Sequence, residues 1–153
     1  MTRVMFVCHG NICRSPMAEF VFKDMLAREG KEKNFTVCSR ATSEEEIGNP
    51  VHTGTLTKLK KEGIAAPPHR ATLLVKEDYY RYDYFLGMDV SNVNSMRRLF
   101  SRHADVKIYR LLDFTKNPRD IADPWYTGDF DACYRDIAEG CKEFFTWLTH
   151  KNA

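Results

Sequence analysis

The chain has 153 residues, of which 43% are hydrophobic and 29% are charged, and its formal net charge is +2. This length fits one compact domain, and we predict a single domain over residues 1–153. The near balance of charges excludes a strong electrostatic attraction to nucleic acid or to an anionic membrane, so we expect neither as a partner.

The start of the sequence and the cysteines indicate the compartment. Residues 1–7 are too short for the apolar core of a signal peptide and lack a small-residue cleavage site. No apolar stretch approaches the roughly 20 residues that span a bilayer. The five cysteines, at positions 8, 13, 38, 133 and 141, include no Cys-x2-Cys pair. This pattern favours free thiols over a disulfide framework or a zinc site, so we expect a cytoplasmic protein without a metal or another cofactor.

The first half of the chain alternates between strand and helix patterns. Residues 4–7 are a continuous apolar run that predicts a strand, and Ser15-Pro16 predicts a helix with Ser15 as its N-cap and Pro16 as its first residue. Residues 35–38 predict a second strand. Residues 53–62 predict a second helix, which ends at Gly63.

The second half continues this alternation. Residues 83–88 and 107–112 predict two further strands, and residues 90–102 predict a helix between them. Residues 115–124 predict a loop, and residues 130–148 a long closing helix. The apolar faces of these two helices comprise Val93, Met96, Leu99 and Phe100, and Tyr134, Ile137, Cys141, Phe144 and Leu148. We predict an α/β fold with a four-stranded parallel sheet in the order 2-1-3-4 and helices on both faces.

The loop after the first predicted strand carries a candidate nucleophile. Ligands bind beyond the carboxyl ends of parallel strands, and the N–H groups of such a loop favour a phosphate or a thiolate. We expect Cys8 to be the thiolate and Arg14 to bind two phosphoryl oxygens with its planar guanidinium. The Ser15 hydroxyl is placed to donate to the thiolate. The predicted phosphate-binding residues are His9, Gly10, Asn11, Ile12, Cys13, Arg14 and Ser15.

The spacing of Cys8 and Arg14 is weak evidence when taken alone. A buried cysteine that ends a core strand beside a surface arginine gives the same spacing. The preceding apolar strand, the following helix start, and the tolerance of Gly10 and Asn11 for unusual backbone angles favour the phosphate site.

Asp123 is the candidate general acid. A phenolate leaves poorly because the pKa of its conjugate acid is about 10, so cleavage of an aryl phosphate needs a proton donor. Pro124 restricts Asp123 to extended backbone angles, although the pair also fits a simple loop end before the last helix. Trp125 and Tyr126 predict one wall of a slot for an aryl ring, or an aromatic plug against the final helix.

Residues 7–19 resemble the phosphate-binding loop of the low-molecular-weight protein tyrosine phosphatases. Further matches follow along nearly the whole chain: Ser39-Arg40-Ala41-Thr42-Ser43, Gly48-Asn49-Pro50, Gly63-Ile64, His69, Asp83, Met88-Asp89 and Asp123-Pro124-Trp125-Tyr126. The resemblance implies hydrolysis of phosphotyrosine in proteins, and of small aryl phosphates, through a cysteinyl-phosphate intermediate. We expect a monomer or a weak dimer.

The resemblance also implies roles for individual residues. Asn11, Ser15, Ser39 and His69 are expected to form a hydrogen-bond network that fixes the loop, with Asn11 in a left-handed conformation. Cys13 is expected to form a reversible disulfide with Cys8 that protects the nucleophile from over-oxidation, its alternative being a small buried side chain.

The rim of the expected substrate pocket departs from the family pattern at two positions. His9 stands where the family often has an apolar residue, and Glu45 stands where many members have an aromatic one. A rim of this kind is expected to treat acidic peptides differently.

Three other functions share parts of this pattern. Arsenate reductases of the same fold need two further cysteines, and this chain has none between Cys38 and Cys133. Phosphoarginine phosphatases resemble the chain but carry threonine at the position of Ile12. A non-catalytic module that binds phosphorylated partners would use Arg14 and the loop amides without needing Cys8 or Asp123.

Overall fold

The computed structural model describes residues 1–101 and 106–151. Its strands are β1 (Thr2–Cys8), β2 (Phe35–Ala41), β3 (Tyr84–Gly87) and β4 (Ile108–Arg110). Its helices are α1 (Arg14–Arg28), α2 (Thr53–Lys61), α3 (Val90–Phe100), α4 (Pro124–Thr127) and α5 (Phe130–Lys151). Short 3₁₀ turns occupy Glu32–Asn34, Lys76–Tyr80 and Leu111–Phe114. Within the described ranges, no helix combines the length and the apolar character needed to cross a membrane.

All three strand pairings are parallel, and the order β2-β1-β3-β4 confirms the predicted sheet. Side chains of β1 alternate between two apolar layers. Val4 and Phe6 pack with residues of α1 and α5, and Met5 and Val7 pack with residues of α3. The central strand is therefore covered on both faces. Cys8 is its last residue and lies where the carboxyl ends of the parallel strands meet the following loops.

The prediction for the start of the first helix was wrong. Helix α1 begins at Arg14, with Cys13 at the N-cap position, so Ser15 is already its second residue. The Ser15 hydroxyl cannot cap the helix because it contacts the Cys8 sulfur and accepts a hydrogen bond from Asn11. Pro16 is the third helical residue, where its missing N–H group sacrifices no intrahelical hydrogen bond.

Other predicted boundaries also need correction: strand β2 runs to Ala41 instead of residue 38, and α5 to Lys151 instead of residue 148. Strand β4 ends at Arg110, because Leu111 and Leu112 turn into a 3₁₀ segment and bury their side chains completely. Helix α3 ends at Phe100, and the last residue of the predicted helix, at position 102, lies outside the described residues. The predicted loop at 115–124 ends one residue early, since Pro124 opens the short helix α4.

The two predicted apolar helix faces pack as expected. Val93, Met96 and Phe100 of α3 are buried and Leu99 packs against them. On α5, the buried residues include Ile137, Cys141, Phe144 and Leu148, with Tyr134 partly buried beside them.

Phe144 is the ring on which the larger apolar layer depends. It is fully buried, and its centroid lies 5.6 Å from those of Phe22 and Tyr84 and 5.0 Å from that of Phe114. We expect Phe144→Ala to lower the free energy of unfolding by about 3–5 kcal/mol, because it removes a buried ring and leaves a cavity. Denaturant titration measures this loss. The exposed neighbour Lys142, changed to alanine, should shift stability by no more than about 0.5 kcal/mol. Equal effects of the two variants would contradict the assignment of the core.

Candidate active site

A pocket opens at the carboxyl end of β1, where the loop after this strand meets the segments that precede α2 and α5. The lining residues come from three parts of the chain: Cys8, His9, Gly10, Ile12, Cys13, Arg14, Glu45, Glu46, Asp123, Trp125 and Tyr126. The structure thus brings the candidate nucleophile, the arginine, the candidate acid and the predicted rim residues into one cavity. Glu46 was not predicted from the sequence.

The Cys8 sulfur is buried and surrounded by hydrogen-bond donors. The N–H groups of Asn11 and Ser15 lie 3.2 and 3.4 Å from Sγ, and the Ser15 hydroxyl oxygen lies 3.0 Å from it. This hydroxyl accepts from the Asn11 side chain, which leaves its own proton free to donate to sulfur. Three donors directed at one sulfur stabilise a thiolate, the form that acts as a nucleophile.

The loop retains donors for an anion. Five backbone N–H groups between β1 and the first residue of α1 have no acceptor within the described part of the chain. They belong to His9, Gly10, Ile12, Cys13 and Arg14. Asn11 has a φ of 58°, the left-handed conformation that was expected. Unpaired amides around a positive-φ turn at a helix N-terminus are a typical phosphate-binding arrangement.

The side chain of Asn11 holds this loop. Its Nδ2 donates to the hydroxyls of Ser15 and Ser39 at 2.8 and 3.0 Å, and its Oδ1 accepts from His69 Nε2 and from the Thr72 N–H, both at 3.0 Å. Asn11 therefore contacts each of the other three residues of the predicted network, Ser15, Ser39 and His69. Asn11 is completely buried, and each polar atom of its amide has two partners.

Glu19 extends this network and was missed from the sequence. Its carboxylate accepts from Ser39 Oγ at 2.7 Å and from Lys23 Nζ at 2.6 Å, although the side chain is only 8% exposed. Burial lowers the pKa of His69 despite the nearby Glu19 carboxylate, which favours a neutral ring that donates from Nε2 to Asn11. The signal in the sequence was an acidic residue inside the apolar run of α1.

Arg14 is held in place by protein contacts before any substrate binds. Its Nη1 donates to Asp89 Oδ2 at 2.7 Å and to the Ile121 carbonyl at 2.9 Å, and its Nη2 lies 3.4 Å from Asp123 Oδ2. Burial opposes the charge, but Cys8 and the two carboxylates outweigh it and raise the pKa of Arg14. Asp89 was not singled out from the sequence as a partner of this arginine. Its position two residues after the end of β3 was the available signal.

Asp123 is fixed by the start of α4. Its backbone is extended, with φ −79° and ψ 114°, as its position before Pro124 predicts. Oδ1 accepts from the Trp125 N–H at 3.0 Å, so the carboxylate caps the short helix while it faces the pocket. Other acidic residues nearby have different partners. Asp120 contacts Arg110, Asp129 accepts from the Ala132 N–H, and Asp131 pairs with Lys58.

The rim of the pocket is aromatic on one side and acidic on the other. The side chains of Trp125 and Tyr126 are 54% and 81% exposed, so they form a wall rather than a plug against α5. On the opposite side of the pocket, His9 Nε2 lies 3.3 Å from Glu45 Oε2. An aryl group can lie against the aromatic wall while its phosphate reaches the loop.

The other cysteines differ from Cys8 in their surroundings. Burial raises the pKa of Cys13 and of Cys133 to about 12, so both remain thiols at neutral pH. Burial also raises the pKa of Cys38 and Cys141. Over residues 1–101 and 106–151, no three His, Cys, Asp or Glu side chains are grouped in a way that would hold a metal ion.

Comparisons of the sequence with known proteins agree on one family. The family model described as low molecular weight phosphotyrosine protein phosphatase matches residues 3–153. The low molecular weight protein-tyrosine-phosphatase YfkJ of Bacillus subtilis is 39% identical over 145 residues, which cover 94% of this chain and 93% of YfkJ. The low molecular weight phosphotyrosine protein phosphatase of Gallus gallus is 39% identical over 146 residues, which cover 92% of each chain.

Solved structures give the same result. The crystal structure of YfkJ matches with a TM-score of 0.96 and 36% identity, over 100% of this chain and 98% of that one. The crystal structure of a Drosophila arginine phosphatase, DARP, matches with a TM-score of 0.87 and 28% identity, over 100% of this chain and 99% of that one. Given the family match over residues 3–153 and a pocket in which Cys8, Arg14 and Asp123 meet, the chain belongs to the low molecular weight phosphotyrosine protein phosphatase family.

Proposed function

We propose that this protein hydrolyses phosphotyrosine in proteins, and small aryl phosphates, with Cys8 as nucleophile, Arg14 as phosphate ligand and Asp123 as general acid. One observation carries the proposal: three donors surround the Cys8 sulfur in the same pocket that contains Arg14 and Asp123. The proposal treats residues 1–153 as one catalytic domain.

In the first step the Cys8 thiolate attacks phosphorus, and the bond from phosphorus to the tyrosyl oxygen breaks. Asp123, in its protonated form, gives its proton to the leaving oxygen, so that the phenol departs neutral. Arg14 and the unpaired loop amides bind the other phosphoryl oxygens and stabilise the charge that they carry in the transition state. The product of this step is a cysteinyl phosphate.

In the second step a water molecule attacks the cysteinyl phosphate. The Asp123 carboxylate takes the proton from that water, which restores the acid for the next cycle. The sulfur–phosphorus bond breaks, and inorganic phosphate leaves. The Ser15 hydroxyl, 3.0 Å from Sγ, stabilises the departing thiolate with a hydrogen bond.

Phosphotyrosine is favoured over phosphoarginine by the chemistry of the pocket. Ile12 lines the cavity with an apolar side chain, where a guanidinium substrate would need a polar contact. The aromatic wall of Trp125 and Tyr126 suits an aryl group. Arsenate reduction has little support, because the chain has no cysteine between Cys38 and Cys133 to relay a disulfide.

The proposed setting is the cytoplasm, with phosphoproteins as partners and with the protein acting as a monomer or weak dimer. All five cysteines are free, which supports a reducing compartment. The net charge of +2 gives no support for a nucleic-acid partner.

The mechanism predicts different defects for the nucleophile and the acid. Cys8→Ser should abolish turnover of p-nitrophenyl phosphate, because a serine hydroxyl remains protonated in this site. Asp123→Asn should slow hydrolysis of phenyl phosphate by about 10²- to 10⁴-fold, and that of p-nitrophenyl phosphate less, because p-nitrophenolate leaves with less help from an acid. Steady-state kinetics on both substrates measure the two effects.

Asp120→Asn is the matched control, since Asp120 contacts Arg110 instead of the pocket, and it should stay within about twofold of the wild type. No turnover of either substrate by the wild-type protein, with inorganic phosphate still bound, would instead identify a phosphate-binding module.

We also propose that Cys8 and Cys13 are a redox pair. Hydrogen peroxide would oxidise the Cys8 thiolate to a sulfenic acid with release of hydroxide, and the Cys13 thiol would then attack the Cys8 sulfur and displace water to form the disulfide. Cys13 is buried in the same loop, and burial, with the nearby Cys8, raises its pKa to about 12, so it is a thiol at neutral pH.

After brief treatment with hydrogen peroxide, the wild-type protein should recover most of its activity in dithiothreitol. Cys13→Ser should recover several-fold less, because its Cys8 sulfenic acid proceeds to irreversible forms. Cys38→Ser serves as the control and should recover like the wild type. Equal recovery by all three proteins would show that Cys13 does not protect Cys8.

The acidic side of the rim predicts a preference among phosphotyrosine peptides. Glu45 and Glu46 both line the pocket and carry two carboxylates to its rim, and Glu45 Oε2 lies 3.3 Å from His9 Nε2. We expect kcat/KM to be higher for a peptide with arginines beside the phosphotyrosine than for one with glutamates there. Changing both glutamates to glutamine should reduce this ratio by about two- to fivefold per charge, the range of exposed ion pairs.

Glu29→Gln is the control for this experiment. Glu29 is exposed at the far end of the 15-residue helix α1, about 20 Å along the helix from the pocket. It should leave the ratio unchanged. If the wild-type ratio of kcat/KM for the two peptides is near one, or if the double variant does not reduce it, the charges of the rim do not select among peptides.

A further inference from the structure

His52 contacts both the loop that carries the nucleophile and the segment that carries the acid. Its backbone N–H donates to the Ile12 carbonyl at 2.8 Å, which connects it to the phosphate loop. Its ring lies edge-on to Trp125, with centroids 5.7 Å apart and an interplanar angle of 81°. His52 does not line the pocket itself. It therefore touches both parts of the site from outside.

The orientation of the His52 ring is fixed from two further directions. Nδ1 accepts a hydrogen bond from the Gly54 N–H at 2.9 Å and so caps helix α2. This acceptor role places the ring proton of the neutral form on Nε2. The ring also stacks on Phe130, the first residue of α5, with centroids 5.2 Å apart and an angle of 20° between the planes.

The stack on Phe130 depends on a glycine. A Cβ added at Gly54 would lie 2.4 Å from the Phe130 ring, a distance at which one group must move. The absence of a side chain at this position lets the Phe130 ring pack directly on the first turn of α2. His52 is consequently held between the start of α2 and the start of α5, and it presents a fixed edge to Trp125.

From Trp125 a short path leads to the candidate acid. The backbone N–H of Trp125 donates to Asp123 Oδ1 at 3.0 Å, while Asp123 Oδ2 lies 3.4 Å from Arg14 Nη2. The Trp125 side chain is 54% exposed, so its contact with the His52 ring is a substantial part of what holds it. The carboxylate is thus located by Arg14 on one side and, through Trp125, by His52 on the other.

We propose that His52 is a positioning residue that sets the place of Asp123 through Trp125, and that it thereby controls proton transfer to the leaving group. This inference rests on the proposed role of Asp123 as general acid. A general acid must lie within hydrogen-bonding reach of the atom it protonates, and a displacement of about 1 Å can cost about 10²-fold in rate. Substrates whose leaving group needs a proton are the ones that depend on this placement.

The test separates the His52 ring from its capping atom. His52→Asn keeps an N-cap acceptor but removes the ring, whereas His52→Phe keeps a ring and removes the acceptor. The quantity measured is the ratio of kcat/KM for p-nitrophenyl phosphate to that for phenyl phosphate. We expect His52→Asn to raise this ratio at least fivefold, because phenyl phosphate loses its proton donor. We expect His52→Phe to leave the ratio within twofold of the wild-type value, even if its melting temperature falls.

Two further variants complete the design. In an Asp123→Asn background, adding His52→Asn should produce no further rise in the ratio, because both changes act on the same proton transfer. His150→Asn, at an exposed histidine near the end of α5, should leave the ratio at the wild-type value.

The outcomes distinguish this inference from the function on which it rests. If the wild-type protein hydrolyses neither substrate, the proposed function fails. If the wild type is active but His52→Asn slows both substrates equally, His52 has a structural role only and the inference is overturned. Circular dichroism of each variant checks that it is folded. Should His52→Asn not fold, Trp125→Leu breaks the same ring contact from the exposed side, and an unchanged ratio in that variant also overturns the inference.

Discussion

The site depends on the hydrogen bonds that hold Asn11 in a left-handed turn. For a residue with a side chain, this conformation costs about 1–2 kcal/mol, and burial of the amide adds a desolvation cost. The side-chain amide of Asn11 donates to Ser15 and Ser39 and accepts from His69 and Thr72. These four hydrogen bonds offset the costs by about 0.5–1.5 kcal/mol each. The turn in return directs the Asn11 N–H at the Cys8 sulfur. The same network that determines the loop's shape therefore also stabilises the charge of its nucleophile.

The buried charges beside this loop form a second constraint. Arg14 is 3% exposed and is balanced by Asp89 at 2.7 Å, with Asp123 more distant at 3.4 Å. The close pair fixes Nη1, whereas the longer contact leaves Nη2 only weakly engaged, so that part of the guanidinium is oriented but available to a phosphoryl group. Because Asp89 also caps α3, the position of the arginine is tied to a helix on the other face of the sheet.

The sequence predicted those features whose cause is local. The alternation of apolar runs and helical stripes was enough to predict a parallel sheet covered by helices, and the loop from Cys8 to Ser15 was recognisable because its functional residues are adjacent. Asp89, Glu19 and His52 were not assigned their partners, because each acts on residues 20 to 75 positions away, and no local pattern encodes such contacts. Ser15 was misplaced as a helix cap because a serine before proline is a common capping pattern, whereas here its hydroxyl is engaged by Cys8 and Asn11.

The position of β1 in the middle of the sheet links catalysis to assembly of the whole chain. Both neighbours of this strand, β2 and β3, come later in the sequence, and Asp123 comes later still. The nucleophile therefore leaves the ribosome long before the strands that flank it or the acid that completes its pocket. Pairings of this long range form slowly and only together. A partly synthesised chain contains Cys8 but not the assembled site that activates it, so phosphatase activity is itself a signal that folding has finished.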